Sequence, residues 1–217
     1  MVSSKNIQTV VHTGVSSLNF GEQFAGAQKR ILLHAAIYNR FAENTAVSSA
    51  LEFALAHHNI VLQVILLPVW RDIVWMDAAC KLVRPESSRA EMLEKAEVSL
   101  EFFLRLAAQY PQQVVIYEGQ TVPACPLVIV DDSLFCGHYV HSQVLAPEGV
   151  WMEMTAPVES LLSLAESIAQ RELAEAGEEH LLIEQRKELI SAMPPQERAM
   201  FRYLQEWNAA KGPVIRP

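Results

Sequence analysis

The stretch between Gln112 and Tyr139 constrains the fold more than any other part of the chain. It holds two short apolar runs, Val114 to Tyr117 and Leu127 to Val130. A third, Leu134 to Tyr139, follows an acidic turn at Asp131-Asp132-Ser133. Short runs rich in Val and Ile, bounded by Gly, Pro and Asp, form buried strands rather than helices. Strands are therefore expected near 113–118, 126–131 and 133–140.

Upstream, strands and helices alternate. ILLHAAI at 31–37 reads as a strand, and NIVLQVILL at 59–67 as a second one closed by Pro68. Between them Val47, Leu51 and Leu55 recur at helical spacing, with Asn44 or Thr45 as the cap. A strand, a crossover helix and a strand imply parallel pairing and a right-handed connection. Val10, Val11 and Thr13-Gly14 suggest a short lead-in, and a helix is expected from Ser16 or Ser17 to about Gln28. Trp70 to Arg84 reads as an irregular or helical insertion. Ser87 or Ser88 with Glu91 resembles a capping box opening a long helix over 89–109. Val150 to Met154 suggests one more strand. After Pro157 the composition turns helical, with helices expected over 158–175, 178–192 and 195–210. The tail from Gly212 to Pro217 is expected to fray. The predicted class is α/β: a mixed sheet flanked by helices over residues 1–155, and an α-helical C-terminal extension over 156–217.

Charge narrows the partners. Seventeen Lys and Arg against 25 Asp and Glu leave a net charge of -8. That argues against bulk attraction to nucleic acid or to an anionic membrane surface. Cys80, Cys125 and Cys136 make neither a disulfide framework nor a metal-spaced pair, and no signal peptide is apparent. Reduced thiols in the cytoplasm are the expectation. The apolar run Ile60 to Val69 is too short to span a bilayer. No cofactor is expected.

The polar groups able to do chemistry are few. Tyr38, Asn39 and Arg40 directly follow the first strand, where ligands of α/β proteins bind beyond strand carboxyl ends. His34 sits inside that strand, either as a satisfied core residue or facing a site. Glu118 closes the strand at 113–118. His138 and His141 lie three apart; at strand spacing they fall on opposite faces and converge on a metal only if the strand ends between them. Asp131 is most simply a turn residue, and acid–base work would require a partner and a matched pKa. Cys125 and Cys136 lie in or beside buried strands, where free thiols are commonly inert. Trp70 and Trp75 either line a pocket or pack the insertion onto the sheet. PPQERAMFRYLQEWNAA looks like the opening helix of a helix-turn-helix unit, but the chain ends before a recognition helix and the charge is wrong for DNA.

The order of these segments resembles one half of a phospholipase D superfamily protein, over roughly residues 15 to 155. AHHNIVLQVIL stands where that family has its first crossover and second strand. VPACPLVIVDDSLFCGHY stands on the family signature H-x-K-x4-D and the following G-S/T-x-N segment. With Asp131 on the family aspartate, Ala124 falls on the nucleophilic histidine and Pro126 on the phosphate-binding lysine. Gly137 falls one residue short of the family glycine, and His138 falls on the Ser/Thr. Neither alanine nor proline can attack phosphorus or neutralise a phosphoryl oxygen.

The resemblance thus implies a non-catalytic module, homodimeric by family analogy, that binds a regulatory ligand or protein partner near Tyr38, Asn39, Arg40, Glu118, Asp131 and His138. The alternative is a divergent phosphodiester hydrolase or nuclease using His138 or His34, with one of them close to Arg40. A DNA-associated transcriptional regulator is a third reading, which predicts a basic surface stripe.

Overall fold

The computed structural model describes residues 8–138, 148–174, 187–188 and 190–217. Three parallel strands form its centre: β2 (Arg30–Ala36), β3 (Val61–Leu66) and β4 (Val114–Gly119). The crossover helices are α3 (Thr45–His58), preceded by the short α2 (Asn39–Glu43), and α5 (Arg89–Gln109). Four antiparallel strands extend the sheet beyond β2: β5 (Leu127–Val130), β6 (Ser133–Cys136), β7 (Val150–Thr155) and β1 (Thr9–Thr13). At the opposite edge β8 (Lys211–Ile215) pairs antiparallel with β4. Among the described residues the order is β1-β7-β6-β5-β2-β3-β4-β8.

Local sequence accounts for most of these boundaries. The Asn44 side chain accepts from the Ala46 and Val47 N–H groups and starts α3. Ser88 accepts from the Glu91 N–H at 3.3 Å while the Glu91 carboxylate accepts from the Ser88 N–H at 2.7 Å, a closed capping box. This satisfies donors that a helix start otherwise leaves unpaired. The insertion folds as α4 (Met76–Val83), and the first helix is a 3-10 turn at Val15–Leu18 followed by α1 (Phe20–Gly26). Of the three C-terminal helices, α6 (Val158–Ala174) and α7 (Pro195–Ala210) are present. The one expected over 178–192 lies largely outside the described residues.

The central strands bury both faces, which is why they read as continuous apolar runs rather than alternating ones. Ile31, Leu33, Leu62 and Val64 pack against α1, α3 and α5. Leu32, Ile65, Leu127 and Ile129 pack beneath α6 and α7, where Phe201, Leu204 and Trp207 are fully buried.

One expectation fails. The tail does not fray: Val214 and Ile215 pair with Tyr117 and Ile116. A Cβ on Gly212 would stand 2.5 Å from the Glu118 carbonyl oxygen, so a residue that looks like a breaker is what lets the strand approach. Pro213 is tolerated because β8 lies at the edge.

Candidate functional site: a cavity at the strand ends

Strand direction decides which residues can meet. The carboxyl ends of β2, β3, β4 and β6 share one end of the sheet with the amino ends of β5 and β7. The β5–β6 turn lies at the other.

β2 does not run straight to that end. Leu33 faces Val64 and Ala36 faces Leu66, so three steps on β2 match two on β3, a one-residue bulge. Ala36 takes φ 66°, and the Ile37 N–H bonds the Ala35 carbonyl at 2.8 Å to close a γ-turn. This positive-φ turn is strained for a residue with a Cβ, and such strain concentrates at functional sites. The buried Tyr38 repairs the gap. Its hydroxyl accepts from the Ala35 N–H at 2.6 Å and donates to the Ile65 carbonyl at 3.0 Å, bridging β2 and β3 where the ladder opens. The Tyr38 N–H donates to Ser99 Oγ, which in turn donates to the Lys95 carbonyl of α5.

Beside this turn lies a cavity of about 440 Å³ on the face covered by α1 and α3. Its walls are largely apolar. Phe20 meets Trp151 and Phe41 edge-on, with ring centroids 6.2 and 5.9 Å apart, and Tyr38 tilts against Phe41 at 5.9 Å. Pro126, just before β5, and Val128 of β5 line it with Ala35. Its polar lining comprises Ser16, Asn19, Arg40, Asn44 and Arg84. No Asp, Glu, His, Cys or Lys lines it among the described residues. Gly137 holds one wall in place: a Cβ there would lie 2.9 Å from the Trp151 ring and 3.1 Å from Pro126.

Of the residues expected in the site, Tyr38 and Arg40 line this cavity and the others do not. Asn39 is buried beside it, its amide N–H₂ turned to Glu43 at 3.3 Å and its Oδ1 without a partner. Glu118 lies at the end of β4 and pairs with Arg71 at 2.9 Å. Asp131 is at the opposite end of the sheet. Its carboxylate accepts from the backbone N–H groups of Gln28, Lys29 and Arg30 at 2.8, 2.8 and 3.0 Å, and its φ is 50°. It therefore locks the β5–β6 turn to the start of β2, as its sequence context suggested. His138 is exposed just past β6, and His141 lies outside the described residues. Trp70 and Trp75 pack against the cluster around α4 and do not reach the cavity.

His34 is on the other face. Its ring lies 6.3 Å from that of Trp207, and burial lowers its pKa from 6.5 to about 4, so it is neutral at pH 7. Ala35, the next residue, lines the cavity. His34 and Arg40 thus lie on opposite faces of the sheet. The thiols are equally unsuited to attack: burial, with Cys136 and Glu206 nearby, pushes Cys125 up to about 12, and burial raises Cys136. Among the described residues no three His, Cys, Asp or Glu side chains gather as metal ligands. No described helix is long and apolar enough to cross a membrane.

Sequence reading missed most of the cavity. Phe41 sits in a short helix, Asn39–Glu43, that the sequence did not announce, Arg84 in the insertion and Trp151 in the strand expected at 150–154. The available signal was three large side chains in otherwise unremarkable connecting segments.

No family model and no curated protein matches the chain. Solved structures do. TrmBL2, an archaeal chromatin protein with a novel mode of DNA binding, is 14% identical with a TM-score of 0.45, over 76% of this chain and 52% of its own. Phosphatidylserine synthase from Haemophilus influenzae Rd KW20 is 15% identical with a TM-score of 0.48, over 94% of this chain and 46% of its own. NucT from Helicobacter pylori is 15% identical with a TM-score of 0.41, over 77% of this chain and 96% of its own. The chain thus spans about half the length of the first two. The three likenesses, all below 25% identity and below a TM-score of 0.5, assign this chain no family and give no residue a role.

Proposed function

We propose that this chain is a non-catalytic phospholipase D-like module that binds a small molecule in the cavity at the end of β2. One observation carries the reading. Pro126, which the sequence resemblance sets on the family's lysine position, is itself a cavity wall, and among the described residues no His, Cys, Lys, Asp or Glu lines the cavity. A pocket with apolar and aromatic walls and a few placed polar groups is the usual form of a small-molecule site. The Tyr38 hydroxyl, committed to two backbone groups, is unavailable as an acid or base.

In the same reading two copies associate. The unpaired edge of β1 supports this, since Val10 and Val11 are 44% and 64% exposed and the strand carries neither Lys nor Pro, the residues that usually guard an edge.

The test is calorimetric titration with 1-naphthol, a neutral aromatic probe, of the wild type and of Ala46→Trp, which fills the cavity from the exposed start of α3. Saturable binding at one site per chain, lost in Ala46→Trp, is expected. Absence of binding to the wild type, or equal binding to both, would overturn the reading.

A further inference from the structure

The charge pattern of the cavity says more about its occupant than its volume does. Acidic residues outnumber basic ones by 25 to 17 in the chain, yet no carboxylate lines the cavity among the described residues, and two guanidinium groups do. Arg40 makes no ion pair among the described residues, unlike Arg30, Arg71, Arg89 and Arg105. The amino end of α3 adds a partial positive charge from the same side, since Asn44, Ala46 and Val47 all line the cavity. Its Ala46 and Val47 N–H groups are already taken by Asn44, so the helix supplies field rather than donors. Phe20, Phe41 and Trp151 supply aromatic walls to the same cavity as this positive rim.

We infer that the ligand is a flat aromatic carboxylate, with its ring among Phe20, Phe41 and Trp151 and its carboxylate toward Arg40. The inference rests on the binding-module reading above and deepens it. A planar guanidinium matches a carboxylate in a two-point fork. A phosphate dianion carries twice the charge and more acceptor sites than this lining can meet. Beyond the arginines the cavity offers only Ser16, Asn19 and Asn44, and the Asn44 carbonyl is already committed to the helix cap. A cation is excluded by the same rim that would attract the anion.

One scaffold with four charges provides the test: 1-naphthol, 1-naphthoate, 1-naphthylmethylamine and 1-naphthyl phosphate, titrated calorimetrically into the wild type and Arg40→Gln. The naphthoate is expected to bind at least about tenfold tighter than the naphthol, the factor a charged hydrogen bond supplies. That advantage should shrink in Arg40→Gln, whose circular dichroism and thermal unfolding midpoint, matched to the wild type, show that it is folded. Naphthoate and naphthol binding alike would overturn the carboxylate assignment and leave the cavity reading intact. Tighter binding of the phosphate or the amine would overturn it too. Failure of all four probes would overturn both readings.

Discussion

Two residues next to the cavity show how a polar side chain can be structural in the place where chemistry was expected. Tyr38 stands at a strand's carboxyl end, yet its hydroxyl bridges the Ala35 N–H and the Ile65 carbonyl across the β2 bulge. Tyr38→Phe keeps the ring and removes one hydrogen bond from each of the Ala35 N–H and the Ile65 carbonyl, at a cost of about 1–3 kcal/mol. Urea unfolding should show this as a lower midpoint at unchanged slope. His34 makes the second case. Its folded-state pKa, about 4, lies below the ordinary 6.5, so the unfolded chain takes up the proton first as pH falls. The stability associated with neutral His34 is complete above pH 6.5 and is lost progressively toward pH 4. The full loss is about 3 kcal/mol from a shift of roughly 2.5 units. Unfolding measured between pH 7 and 4.5 should fall more steeply in the wild type than in His34→Gln. The position of Tyr38 and Arg40 was legible in the sequence, because chain order alone puts them beyond β2. The bulge was not, since an alanine at φ 66° leaves no mark in ILLHAAI.

Among the elements, those with local causes were legible and those made by tertiary pairing were not. The Ser88–Glu91 box and the apolar runs of β3 and β5 declare themselves within a few residues. β8 does not. Lys211-Gly212-Pro213 has the composition of a break, and only the neighbouring β4 makes it a strand. Gly212→Ala puts a Cβ 2.5 Å from the Glu118 carbonyl oxygen, backbone that cannot swing aside. β8 should detach from β4, with a loss of about 1–3 kcal/mol of stability. Hydrogen exchange would report it as faster exchange of amides in β8 and along β4, while those of β5 and β6 stay protected. Gly137, which has no positive φ, is likewise there for space: it lets Trp151 close against Pro126.

At the scale of the molecule the topology sorts the candidate residues more firmly than any motif. The sheet sends Asp131 to one end and His138 to the other, and puts His34 under α7 while Arg40 faces α1 and α3. The α/β class and the mixed sheet were legible because parallel crossovers and hairpins each carry a sequence pattern. The cavity was not, because its walls come from α1, the turns after β2, α4, β5 and β7, and no local signal ties Phe20 to Trp151. What we propose is an α/β scaffold whose cavity binds a ligand through aromatic walls and positive charge and carries out no reaction. That is the central claim, and it meets its most direct test in hydrolysis of bis(p-nitrophenyl) phosphate by the purified protein, measured beside His138→Ala. The account predicts no release of nitrophenol above buffer from either. Turnover by the wild type that disappears in His138→Ala would contradict it.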